Sequence, residues 1–140
     1  MSRRLVVDAS AAGAWVLPDE HSEAAETLLR GIVEDEIELV VPQSWVYEMT
    51  NLLLTAHRRG RLDDAGHEAA HRFLDALPCQ CLHHEEPLTR ERMSRIALRF
   101  ELSAYDASYL ELADRLQCPL ASFDERLSAA AATMGLTSPD

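Results

Sequence analysis

The sequence predicts an α/β protein in which helices cover both faces of a parallel sheet. Three observations carry this. Short apolar runs without polar alternation stand at 4–7, 37–41 ("IELVV") and 119–123 ("PLASF"), as strands buried on both sides require. Stretches with helical periodicity separate them. No internal repeat or linker interrupts the 140 residues, so the chain reads as one domain over 1–140 with a single core.

The first strand, 4–7, stops at Asp8, and small residues follow at once. A helix over 21–32 places Ala25, Leu28, Leu29 and Ile32 on one face. The strand 37–41 ends at Pro42, where proline is tolerated, and a helix follows from Ser44, its expected N-cap, to Arg58. Further helices are expected at 63–77, 88–100, 104–117 and 125–134, with "CQCLH" at 79–83 as another strand. Open parallel sheets bind ligands beyond the carboxyl ends of their strands.

Composition narrows the function classes. The chain is 47% hydrophobic and so globular. Its 24 acids against 13 basic residues give a net charge of −11, which argues against a broad nucleic-acid-coating surface. A nuclease stays open, because clustered carboxylates can hold cations that supply the positive charge. All 13 basic residues are arginine and none is lysine. Cys79, Cys81 and Cys118, odd in number and without a secretory signal, read as reduced thiols in a cytoplasm. "SRRLVV" resembles a twin-arginine export signal, but the apolar run behind it is too short for a signal core or a membrane span.

The expected topology gathers four acids on one rim. Asp8 ends the first strand, Glu48 sits in the first turn after the second, Asp106 opens the helix begun by Ser103, and Asp124 follows "PLASF". Each alone has a structural explanation: "SAYD" at 103–106 matches a capping box, Asp124 suits an N-cap, and Glu48 favours its helix dipole. Asp8 is different, because an acid ending a buried strand needs a compensating partner. Carboxylates packed together repel one another unless one takes up a proton. A hard divalent cation such as Mg²⁺ removes that conflict. The hydroxyls of Ser10 and Ser122 and the amide of Asn51, three residues after Glu48, can orient carboxylates or water.

"LVVDASAAGAWVLPDE", "VPQSWVYEMTNLLLTAHRRGRL" and "LSAYDASYLELADRLQCPLASFDERLSAAAATMG" together resemble the three blocks of a PIN-domain protein of the VapC toxin type. The likeness spans nearly the whole chain and keeps the order Asp-x-Ser, Glu-x-x-Asn, Tyr-Asp-Ala-x-Tyr-Leu, strand-Asp. Ser122 stands where the family often has threonine, and keeps the hydroxyl. The resemblance implies a three-layer α/β/α sandwich and an endoribonuclease dependent on Mg²⁺ or Mn²⁺, with Asp8, Glu48, Asp106 and Asp124 as its acidic, metal-holding site. It further implies a homodimer and a small VapB-like antitoxin that occupies the acidic groove. Trp15, Trp45 and Tyr47 are interface candidates, with core packing expected for at least one of them.

Other readings fare less well. Receiver domains and haloacid-type phosphatases rely on a lysine, which this chain lacks. "DASAA" partly resembles the metal-adhesion loop of von Willebrand A-type modules, but Ala12 replaces its last hydroxyl. A metal-free interaction protein whose acids are all helix caps is the remaining alternative. Cys79, Cys81, His83, His84, Glu85 and Glu86 match no usual zinc spacing, and a strand with Cys79 and Cys81 facing inward explains the cysteines. His57, His67 and His71 read as helix-surface residues, the last two on one face. Arg58, Arg59 and Arg61, and then Arg90, Arg92, Arg95 and Arg99, break the acidic background. They form either solvated faces or, for the first group, a track for RNA phosphates beside the metal site.

Overall fold

The computed structural model describes residues 3–83 and 87–137. Four parallel strands, β1 (Arg3–Val7), β2 (Ile37–Pro42), β3 (Gln80–Leu82) and β4 (Leu120–Ala121), lie in the order β3-β2-β1-β4. β1 pairs with β2 from Arg3↔Ile37 to Val6↔Val40, and with β4 through Val6↔Leu120 and Val7↔Ala121. Leu5, Val6 and Val7 are all fully buried. Successive residues of a strand point to opposite faces, so both faces of the sheet are covered and the fold is a three-layer α/β/α sandwich.

Among the described residues there are seven α-helices: α1 (Ala9–Val16), α2 (Glu23–Val33), α3 (Gln43–Arg58), α4 (Asp64–Ala76), α5 (Thr89–Phe100), α6 (Ala104–Leu116) and α7 (Glu125–Thr133). Five match helices expected from periodicity to within a residue or two, and α3 begins one residue before its expected start. The first, α1, was not expected. Its Ala11, Ala12, Gly13 and Ala14 are buried together, so the helix offers no polar face for a periodicity to reveal. Capping serines and aspartates open several of them: Ser22 accepts from the Ala25 amide at 3.1 Å, Asp63 from Gly66 at 2.7 Å and Ser103 from Asp106 at 3.1 Å.

Several expectations are corrected. Ser44 is not an N-cap: β2 runs straight into α3 through Pro42, and the Ser44 hydroxyl bonds Ser108 Oγ at 2.7 Å. Ser108 already donates its proton to the Tyr105 carbonyl, so Ser44 is the donor, and the pair pins α3 to α6. Glu48 therefore sits in the second turn. Cys79 lies outside β3 and is exposed, not turned inward. Trp45 is only 7% exposed and belongs to the core. Half-buried Trp15 donates to the Ala25 carbonyl, leaving Tyr47 as the exposed member of that trio.

The three histidines are half-buried rather than on the surface. Packing of α4 against α3 brings His57 against His67 in a tilted contact, with ring centroids 5.1 Å apart, and within α4 His67 meets His71 edge to face at 4.7 Å. His84, Glu85 and Glu86 lie outside the described residues.

Candidate active site

Asp8 sits where β1 becomes α1 and is 4% exposed. Three groups compensate its carboxylate. Ser10 Oγ donates to both oxygens, at 2.8 and 3.0 Å, Ser122 Oγ donates at 2.7 Å, and the Ala11 amide donates at 3.1 Å. Each serine oxygen is held in turn by a backbone N–H, Phe123 to Ser10 at 2.9 Å and Asp124 to Ser122 at 3.0 Å. Both hydroxyl protons are thus directed at Asp8, and the β4–α7 turn is laced to the β1–α1 turn. Burial nevertheless outweighs these bonds and raises the Asp8 pKa above the ordinary carboxylate value, with Asp106 adding repulsion.

Glu48 projects from α3 and accepts a hydrogen bond from the Tyr109 hydroxyl at 2.7 Å. Its pKa is also raised, first by burial and then by the charges of Asp106 and Asp8. Asp106, in the first turn of α6, is pushed up by burial and by Asp124, against a smaller lowering from Arg126. Its amide bonds Ser103, but among the described residues its carboxylate makes no returning bond, so the capping box is half formed. Asp124 is exposed and caps α7 through the Leu127 amide at 2.9 Å. The four acids come from four elements and feel one another electrostatically. Two of them, Asp8 and Asp124, are also N-caps.

Not every expected member joins them. Asn51 is exposed on α3 and bonds none of the acids among the described residues. Arg58 and Arg59 lie at the far end of α3, about 15 Å along the axis from Glu48. Arg61 is held by Asp19, at 2.9 and 2.7 Å, and by Glu20 at 2.6 Å. These arginines do not border the acid rim.

Tyr109 is the site residue that sequence reasoning assigned no role. The signal was available, since it lies three residues after Asp106 and therefore shares its helical face. Tyr109→Phe is expected to leave the Glu48 carboxylate short of a donor and to cost about 1–2 kcal/mol, measurable by urea unfolding at neutral pH.

The donor set suits a hard cation. Every facing group is an oxygen, three of the four carboxylates have raised pKa values, and the Arg126 guanidinium donates to the Glu101 carbonyl. Among the described residues no three His, Cys, Asp or Glu side chains already form a cage. Such a rim fits an ion held by one or two carboxylates that keeps several waters, as Mg²⁺ does.

Comparison with known proteins agrees with this architecture. Residues 5–132 match the PIN domain family. Ribonuclease VapC3 of Pyrobaculum aerophilum is 33% identical over 129 residues, covering 89% of this chain and 92% of that protein. The crystal structure of PAE2754, also from Pyrobaculum aerophilum, superposes with a TM-score of 0.70 at 26% identity, covering 94% of this chain and 87% of that one. VapC20 of Mycobacterium tuberculosis, a toxin that cleaves the sarcin–ricin loop, shares the fold with a TM-score of 0.60 at 18% identity, over 90% of this chain and 94% of its own. On its sequence and its fold alike, this chain belongs to the PIN domain family, among the relatives of the VapC ribonucleases.

Proposed function

We propose that this chain is an endoribonuclease dependent on Mg²⁺ or Mn²⁺, a single PIN domain acting as the toxin of a type II toxin–antitoxin pair. The observation that carries the reading is the convergence of Asp8, Glu48, Asp106 and Asp124: burial raises the pKa values of the first three, the charges of neighbouring rim acids add to it, and the chain has no lysine to offset them. The ion, when bound, supplies positive charge that makes water a competent nucleophile near neutral pH and offsets charge building on the phosphate and the leaving oxygen. In this reading Asp8, Glu48, Asp106 and Asp124 would hold it, one or two of them directly and the others through its waters. Ser10 and Ser122 fix the rotamer of Asp8 through their donated protons, and Tyr109 fixes Glu48. A rim of carboxylates needs neither a histidine base nor a nucleophilic side chain.

The same reading gives the chain a cytoplasmic location, a homodimeric state and a small VapB-like antitoxin that covers the acidic groove. Among the described residues no helix is long and apolar enough to cross a membrane. Names of the relatives support RNA as the substrate, since one is a ribonuclease and another a toxin that cleaves the sarcin–ricin loop.

Incubating the full chain with labelled total RNA, with Mg²⁺, with Mn²⁺ or with chelator, tests the reading. Discrete cuts that require the ion support it, and their positions identify the RNA. Intact RNA together with no calorimetric metal binding would return the acids to the role of helix caps.

Arg58 and Arg59, both exposed, act in this reading as a distal phosphate track several nucleotides from the cut. The double variant Arg58→Ala/Arg59→Ala is expected to flatten the logarithmic salt slope of single-stranded RNA binding by about 1.4, two contacts at about 0.7 each. An unchanged slope would remove both from the interface.

A further inference from the structure

Three of the six histidines lie against one another, away from the acid rim. His57 stands in the last turn of α3, nine residues and so about 14 Å along the axis from Glu48. His67 and His71 are four apart on α4 and share a face. His67 is the middle ring: its centroid lies 5.1 Å from that of His57 and 4.7 Å from that of His71.

This packing leaves polar atoms without partners. His67 Nε2 is buried and has no hydrogen bond among the described residues, a costly state for a polar atom. Neither ring nitrogen of His71 is bonded there, and of the two in His57 only Nε2 is, to Asp64 Oδ1 at 2.7 Å. An ionised carboxylate only accepts, so Nε2 of the neutral His57 ring carries the proton and Nδ1 keeps its lone pair.

A carboxylate that takes one ring N–H of a histidine and leaves the other nitrogen free is the usual setting of a metal-ligating histidine. Two imidazoles on one tetrahedral ion, each nitrogen about 2.0–2.1 Å from it, have ring centroids roughly 5 Å apart. Both measured separations are close to that. Histidines four apart on one helix are also a known metal-binding pair. The nitrogens do not already converge as a cage. The last torsion of a histidine side chain is broad, however, and all three rings are half-buried rather than sealed, so they can turn toward an ion arriving from solvent.

We propose that His57, His67 and His71 form a second metal site, for a borderline transition ion such as Zn²⁺, with Asp64 fixing the His57 ring and water completing the shell. Imidazole nitrogens suit Zn²⁺, Ni²⁺ or Cu²⁺, whereas the all-oxygen acid rim suits Mg²⁺ or Mn²⁺, so the two sites differ in the ions they take. One ligand from α3 and two from α4 make the ion a staple across this helix pair, closing the turn 58–63 that carries Arg58, Arg59 and Arg61. The site stands whether or not the rim cuts RNA.

The test titrates Zn²⁺ calorimetrically into the untagged full chain with Mg²⁺ in excess, beside His67→Gln, His71→Gln, Asp64→Ala, Asp8→Asn and the double variant Cys79→Ser/Cys81→Ser. One ion per chain is expected for the parent, for Asp8→Asn and for the cysteine variant. Asp64→Ala should weaken binding by about 10- to 100-fold, and each histidine variant by at least as much. Affinity should fall on acidification, because the ligands must shed their protons. At 100 times its Kd the ion should raise the parent's Tm by roughly 10 °C and leave that of His71→Gln unchanged. Melting curves in chelator check that the variants fold. Should neither histidine variant fold, the ring-proton signals of the parent decide: those of all three histidines move together on adding Zn²⁺, or the site is absent.

A parent chain that binds no Zn²⁺ would overturn the site and leave the rings as a packing contact. So would Zn²⁺ binding that both histidine variants keep. Loss in Asp8→Asn instead would then put the ion on the acid rim, and loss in the cysteine variant would put it on Cys79 and Cys81.

Discussion

Asp8→Asn is expected to abolish metal-dependent RNA cleavage while the fold survives. The amide keeps one carbonyl oxygen to accept from the Ala11 amide and from Ser10, which now hold the carboxylate at 3.1 and 2.8 Å. Its NH₂ then faces Ser122, whose hydroxyl can reverse from donor to acceptor. The geometry is satisfied but the charge is gone. Loss of one of the carboxylates that would hold the ion weakens the charge stabilisation the ion supplies, at a cost of about 10²-fold or more in rate. In chelator the variant should melt at or above the temperature of the parent, because burial and Asp106 both oppose the charge it removes. Cleavage assays at saturating Mg²⁺ or Mn²⁺, run beside melting curves, separate the outcomes. Unfolding of the variant would make Asp8 a structural cap, and retained cleavage would move the chemistry elsewhere.

The elements readable in the sequence were those with contrast. A run such as Leu5–Val7 that ends at an acid, or a helix with one apolar face such as α2, declares itself through pattern. Helix α1 did not, because its "ASAAGAWV" segment is small and apolar nearly all round. The start of α3 was misplaced for a related reason. Serine is a preferred N-cap, yet tertiary contact assigns the Ser44 hydroxyl to Ser108, across 64 residues of chain. Glu111 shows the same limit: it stands in an ordinary amphipathic stretch, yet it is 1% exposed and held by Arg115 four residues on, at 2.9 Å. The contact of His57 with His67 depends on the approach of α4 to α3, which no local window contains.

The acids were legible because topology alone sends strand ends and the following helix starts to one edge. What the sequence withheld was the support around them. The two serine hydroxyls aimed at Asp8 come from positions 112 residues apart, and the Tyr109 bond to Glu48 spans 61. Spacing could offer Ser10 and Ser122 as orienting groups, but only the β1–β4 pairing tells that Ser122 faces Asp8.

Without metal, the protein is expected to lose stability as the pH rises from about 4, and Mg²⁺ is expected to restore it. Asp8, Asp106 and Glu48 have folded-state pKa values above their ordinary values of 3.8, 3.8 and 4.5. Below the ordinary values both states are protonated, and the contribution of these groups is fully present. Between the ordinary and the raised values the folded chain keeps protons that the unfolded chain has released, so stability falls with each step in pH. Above the raised values the loss is complete. Asp19, whose pKa Arg61 lowers, has the opposite sign, but its stabilisation is lost only as the pH falls below 3.8, outside this window. A cation binds the ionised rim, so its stabilisation should grow over the same window in which the chelated protein weakens. At 100 times its Kd the ion adds about 2.7 kcal/mol, roughly 10 °C in Tm for a chain of this size. Melting curves in chelator and in Mg²⁺, taken between about pH 4 and 8, should therefore diverge as the pH rises, and Asp8→Asn should narrow the gap. Curves that coincide at all pH values would mean that the rim binds no ion, and that the repulsion among its acids is relieved by protons alone.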